Sequence, residues 1–201
     1  MTDDAHQPPA NSPGLEGLAQ VAACVKKRGL PPIHEWNPPH CGDIGLKINR
    51  DGTWFYQGSP IGRPAMVRLF SSILRKDPEG HVLVTPVEKV SVEVEDAPFV
   101  AVEMQVEGEG AGQILRLRTN VDDWVSVDAA HPLRFEPGPS GGLKPYALVR
   151  DALWALLTRP LFYDLVALGE VREIDGQEMF GVASSGAFFP MSPADALEDL
   201  A

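Results

Sequence analysis

The side chains with the widest chemical range in this chain are its arginines, a few carboxylates and its aromatic groups, and they recur at related positions. Arg63, Arg68 and Arg75 punctuate one helical stretch, while Lys144 and Arg150 stand in a later segment that echoes it. Guanidinium groups are rigid forks that match carboxylates and phosphates. Asp43 and Glu88 are carboxylates that could supply acid or base chemistry beside them. Trp36, Trp54, Tyr56 and Trp124 offer flat apolar faces with a polar edge. The candidate ligand-binding residues are therefore Trp36, Asp43, Trp54, Tyr56, Arg63, Arg68, Glu88, Trp124 and Arg150. The plainer reading of the same residues is internal: arginines pairing with surplus acids, and aromatics packing in the core.

Sharper catalytic signatures fail on inspection. Gly138-Pro139-Ser140-Gly141-Gly142 fits the G-x-S-x-G pattern of a nucleophile elbow, but His131 is the last histidine, so the order serine, acid, histidine is impossible. Pro137 and Pro139 describe a turn better than a strained strand-to-helix elbow. Gly108, Gly110 and Gly112 precede an alternating stretch and open no helix whose amides could cradle a phosphate. Cys24, His34, His40 and Cys41 have no spacing that fits a zinc knuckle. No catalytic residue, metal or cofactor is expected.

Composition narrows the partners. Of 201 residues, 44% are hydrophobic and 22% charged, ordinary for a soluble globular chain. The 17 Lys and Arg against 28 Asp and Glu give a net charge of −11, which opposes general binding to nucleic acid or anionic membranes. A local basic pocket for a small anion remains compatible with that charge. Two cysteines cannot build a disulfide scaffold, no apolar leader opens the chain, and no apolar run is long enough to span a bilayer. These features predict a cytoplasmic protein.

Positioning these groups requires a series of short elements. Residues 1–13 read as a disordered tail, because they hold almost no apolar side chains. Within 14–40, Leu15, Leu18, Ala22 and Val25 predict a docking helix stopped by Gly29, followed by a proline-rich connection. Ile44, Leu46 and Ile48 alternate, Asn49-Arg50-Asp51-Gly52 turns, and Thr53 to Gln57 return as a hairpin. Met66, Leu69, Phe70, Ile73 and Leu74 recur at helical spacing and predict a helix ending at Asp77-Pro78. Strands are expected at His81–Thr85, Lys89–Val94, Phe99–Val106 and Gln113–Thr119. Leu161–Leu168 favours a helix over a strand, Asp175-Gly176 turns a last hairpin, and residues 192–201 form a C-terminal tail.

The second half echoes the first. Adding 82 to the positions from Ala65 to Glu88 gives eight identities, among them Ala65/Ala147, Arg68/Arg150, Leu74/Leu156 and Pro78/Pro160. The economical fold class is α+β: a duplicated core of antiparallel sheets, each packed with a helix, with repeats at 41–98 and 99–191. In that arrangement Arg68 corresponds to Arg150 and Trp54 to Trp124.

Trp36-Asn37-Pro38-Pro39, Cys41-Gly42-Asp43-Ile44, Asp51-Gly52-Thr53-Trp54-Phe55-Tyr56, Gly58-Ser59-Pro60-Ile61 and Met66-Val67-Arg68-Leu69-Phe70 form a specific run. With Leu83 to Lys89, Val94 to Phe99, Pro145-Tyr146 and Ser185 to Pro190, it resembles the bacterial family known as domain of unknown function 1285. Ser184 stands where that family's ending leads one to expect glycine. The resemblance covers Trp36 to Met191 and implies a compact α+β protein with a duplicated core, whose second half is similar to pleckstrin-homology-type sheets. It implies no established activity; a pocket between the repeats and a regulatory or signalling role are suggestions for the family.

The function expected from sequence is a non-enzymatic ligand-binding or regulatory module, with a small anionic ligand or a protein partner in a groove between two repeats. The alternative is an enzyme acting on a small anionic metabolite, with Asp43 or Glu88 as acid/base and Arg63 or Arg150 holding the substrate.

Overall fold

The computed structural model describes Leu18, Ala19, Ala23 and residues 30–195 apart from 139–141. Leu18, Ala19 and Ala23 are helical and Leu18 is fully buried, but the rest of the expected N-terminal helix, residues 1–13 and 196–201 and the centre of the Gly138–Gly142 motif lie outside the described residues. The tail expected from Ser192 instead begins as strand, since Ser192 and Pro193 pair with Phe180 and Met179. By its internal contacts the chain divides into two compact units. The first comprises residues up to Ile48 and Trp54–Glu93, and the second comprises Asn49–Thr53 and residues from Val94 onward.

The first unit is built on a six-stranded sheet of β1 (His40–Ile48), β2 (Trp54–Tyr56), β3 (Ser59–Pro60), β4 (Leu74–Asp77), β5 (Gly80–Val84) and β6 (Lys89–Val94), in the order β3-β2-β1-β6-β5-β4. The alternation at Leu46 and Ile48 buries both side chains, and β1 pairs antiparallel with β2 as the hairpin pattern predicts. Between β3 and β4 runs α1 (Pro64–Ser72), with proline at its first turn, where a missing N–H costs nothing. Phe70 of α1 is fully buried and meets the Trp54 ring at 6.2 Å. Burying two such side chains stabilises the unit by about 2 kcal/mol each.

The helix is shorter than its apolar periodicity predicts. Ser71 and Ser72 donate their hydroxyls back to the carbonyls of Arg68 and Leu69, and Ile73 leaves the helix. Leu74 to Asp77 then pair with β5, Leu74 opposite Leu83 and Asp77 opposite Gly80. Leu74 is buried in both the expected and the observed element, so its apolar side chain could not tell helix from strand.

The second unit has a six-stranded sheet of β7 (Phe99–Glu107), β8 (Ile114–Thr119), β9 (Trp124–Ser126), β10 (Leu133–Pro137), β11 (Leu143–Arg150) and β12 (Leu153–Leu157). Helix α2 (Arg159–Ala167) follows, and then a three-stranded sheet of β13 (Glu170–Ile174), β14 (Gln177–Ser184) and β15 (Ala187–Pro193). The expected helix at Leu161–Leu168 and the hairpin at Asp175-Gly176 are both present. The larger sheet runs β10-β11-β12-β7-β8-β9, with β12 parallel to β7, so it is mixed and not purely antiparallel as expected.

The 82-residue offset does not describe the fold. It lays α1 upon β11 and β12: Arg68 stands on a helix, whereas Arg150 ends a strand. Trp54 is buried, whereas Trp124 is 39% exposed. A different correspondence is visible in the strand orders. Read from β9, the second sheet is β9-β8-β7-β12-β11-β10, the same order as β3-β2-β1-β6-β5-β4. Where the first sheet inserts α1 between its third and fourth strands, the second has only residues 127–132.

A polar cleft in the first unit

Strand register gathers polar side chains on one face of β4, β5 and β6. Arg75 lies opposite Val82 and Val82 opposite Ser91, while Asp77 lies opposite Gly80 and Val84 opposite Lys89. Paired residues and those two apart share a face, so Arg75, Asp77, Val82, Lys89 and Ser91 project together. His40, at the start of β1, adjoins them: its Nε2 lies 2.9 Å from Ser91 Oγ. His40, Asp77, Lys89 and Ser91 line an open cleft of about 240 Å³, completed by Glu79, Gly80, His81 and Val82.

One wall is an ion triad. Lys89 Nζ donates to Asp77 Oδ2 at 2.8 Å, and Arg75 grips the same carboxylate through Nε at 2.6 Å and Nη2 at 3.0 Å. Arg75 Nη1 also donates to the carbonyls of Ile33 and Trp36, at 2.6 and 2.7 Å, tying a short 3-10 turn to the sheet. The three charged side chains keep only 10–18% of their surface exposed. The Arg75 hydrogen bonds, opposed by burial and reinforced by Lys89, hold the Asp77 carboxyl at about 2, below its ordinary 3.8. Burial, with the charge of Lys76 as a lesser cause, lowers His81 to about 4, so its imidazole is neutral at pH 7.

The triad therefore has one cation more than the Asp77 carboxylate neutralises, and Lys89 is its member that lines the cleft. Lys89 has three N–H donors and makes one hydrogen bond among the described residues, to Asp77. Ser91 and His40 add a hydroxyl and an imidazole beside it. Such a set can receive one carboxylate or phosphate oxygen group. Among the described residues no group of three His, Cys, Asp or Glu could hold a metal ion.

The residues singled out from sequence are scattered over the two units. Trp36 contributes its backbone carbonyl to Arg75. Asp43 is exposed, and its Oδ1 accepts the amide N–H of Gly45 at 2.7 Å. Trp54 is in the core, and its Nε1 has no partner among the described residues. Tyr56 is half-buried, its hydroxyl accepting from Gln57. Arg63 is exposed at the entry to α1, and Arg68 is half-buried on that helix. Glu88 closes a turn through its backbone, its carbonyl accepting from Thr85.

Trp124 and Arg150 belong to the second unit. Arg116 lies 5.6 Å over the Trp124 ring, and Arg150 pairs with Asp123 while lying 4.9 Å over Phe99. A second charged cluster in that unit centres on Asp96, which accepts from Lys144 Nζ and the Tyr146 hydroxyl and pairs with Arg50 at 3.3 Å. Burial opposes ionisation of Asp96, but the bonds from Lys144 and Tyr146 and the charge of Arg50 outweigh it and lower its pKa. This carboxylate is occupied by internal partners.

Sequence reading missed Asp77, His81, Lys89 and Ser91 as site residues. The signal was the polar side of two strands otherwise filled by Val82, Leu83, Val84, Val90 and Val92. Sequence does not indicate that His40, 51 residues from Ser91, closes the group.

Comparison with known proteins shows which family the chain matches. Residues 31–97 match the model described as "Domain of unknown function (DUF1285), N-terminal domain", and residues 98–191 match "Protein of unknown function (DUF1285), C-terminal domain". The crystal structure of a DUF1285 family protein from Silicibacter pomeroyi DSS-3 is 49% identical over 92% of this chain and 98% of that one, with a TM-score of 0.82. A DUF1285 family protein from Shewanella baltica OS155 is 28% identical over 62% of this chain and 91% of that one, with a TM-score of 0.49. No curated protein matches the chain.

Proposed function

We propose that this chain, which belongs to the DUF1285 family, is a ligand-binding module with a regulatory or signalling role, and that its cleft receives the anionic group of a small metabolite. The observation that carries this reading is Lys89: its ammonium lines an open cleft and is anchored by Asp77, with donors to spare. At about 240 Å³ the cleft is smaller than the pockets of about 300 Å³ or more that enclose drug-sized molecules, which suits the uptake of one small polar group. The exposed free thiol of Cys41 fits a reducing cytoplasm. No helix among the described residues is long and apolar enough to cross a membrane.

The matching strand orders of the two six-stranded sheets support a duplicated core, with β1–β6 corresponding to β7–β12. Within that reading the pleckstrin-homology-like character of 99–191 rests on a six-stranded sheet with β15 lying against β10 and α2 against β7.

Thermal denaturation in the presence of acetate, succinate and inorganic phosphate tests the proposal. A ligand at ten times its Kd adds about 1.4 kcal/mol, which raises Tm by roughly 3–6 °C in a protein of this size. The rise should shrink in Ser91→Ala and His40→Ala, both of which spare the core. Equal shifts in wild type and both variants would count against the cleft.

A second reading has one observation in its favour: His40 Nε2 and Ser91 Oγ are within nucleophile–base reach. It makes the chain an enzyme acting on a small anionic metabolite. Covalent labelling of Ser91 by a fluorophosphonate, lost in His40→Ala, would support catalysis over simple binding.

A further inference from the structure

We infer that the ligand of this cleft is a zwitterion, a small amino acid whose carboxylate meets Lys89 and Ser91 and whose ammonium meets Glu79; this rests on the binding reading above. The two oxygens of Asp77 are already taken by Arg75 and Lys89, so the cationic end keeps one surplus positive charge. Glu79 lines the same cleft from the turn between β4 and β5, is exposed, and has no hydrogen bond or ion pair among the described residues. The cleft therefore presents one free carboxylate and one unneutralised cation.

A simple anion of this size would satisfy Lys89 but approach Glu79 with like charge, and a simple amine would do the reverse. A molecule carrying both charges satisfies both ends and leaves the filled cleft neutral. Lys89 stands on β6, but its ammonium reaches across to Asp77, two residues before Glu79 in the chain. Both charges line the one cleft, so a small molecule that carries its ammonium and carboxylate within a few methylenes of each other suits it.

Calorimetric titration of the full chain with γ-aminobutyrate, butyrate and butylammonium tests this at low salt. The expected result is that γ-aminobutyrate binds roughly fivefold to tenfold tighter than butyrate, and that Glu79→Gln abolishes the difference. Because Glu79 is exposed, that variant should fold normally, which an unchanged Tm would verify. Butyrate binding as tightly as γ-aminobutyrate in the wild type would overturn the zwitterion while leaving an anion site in place. A preference for γ-aminobutyrate that survives Glu79→Gln would also overturn it, and no heat from any of the three probes would remove the binding reading itself.

Discussion

Lys89 of β6 reaches past β5 and donates to Asp77 of β4 at 2.8 Å, joining two strands that are not neighbours in the sheet. Arg75, two residues before Asp77, holds the same carboxylate in a fork. The largely buried carboxylate thus organises two cations, and the second of them lines the cleft.

This arrangement makes the three members unequal. Asp77→Asn leaves two cations without a countercharge and should cost about 3–5 kcal/mol. Lys89→Met leaves Asp77 paired with Arg75 and should cost about 1–2 kcal/mol. Urea denaturation of both variants reads the order directly. A larger loss in Lys89→Met would show that Asp77 does not organise the group.

Acid should weaken the first unit in two separate windows. His81 has a folded pKa of about 4 against 6.5 ordinarily, so the unfolded chain takes up its proton first. Stability from this group is full above pH 6.5 and falls as pH drops toward 4. Asp77 keeps its contribution above 3.8 and loses it as pH falls toward 2. After discounting for the partial exposure of His81, its window is worth about 2 kcal/mol. Urea midpoints collected against pH should therefore slope between pH 4 and 6.5 in the wild type and flatten there in His81→Gln.

Ser184 gives a test in the second unit. Its buried hydroxyl donates to the Val127 carbonyl at 2.7 Å and accepts from the Leu115 amide at 2.9 Å. Glycine, the residue the family resemblance leads one to expect there, would leave both buried groups without that partner. Ser184→Gly should cost about 1–3 kcal/mol and speed hydrogen exchange at the Leu115 amide. Unchanged exchange at Leu115 would show that the bond contributes little.

Local pattern made much of the fold legible. Alternation marked β7 and β8, and Asp175-Gly176 marked the β13–β14 hairpin, because each signal is contained in a few consecutive residues. The correspondence between the two sheets was not legible. The identities at an offset of 82 include alanine, valine and leucine, common residues that serve a helix and a strand equally well, so Ala65 and Ala147 match in type while differing in backbone. The candidate site was hidden for another reason. Lys89 and Ser91 acquire meaning only when β6 pairs with β5 and His40 comes beside Ser91, and no short segment contains that event. Arg63 and Arg150, chosen for their chemistry, ended in different units, one exposed and the other paired with Asp123.

The most direct measurement is a titration of the ¹⁵N-labelled chain with γ-aminobutyrate, followed by amide chemical shifts. Binding at the cleft predicts saturable shifts at Gly80, Val82, Lys89 and Ser91, weakened in Ser91→Ala. If those four amides show no saturable change with γ-aminobutyrate, acetate or inorganic phosphate up to about 50 mM, the cleft is not a ligand site at any useful affinity.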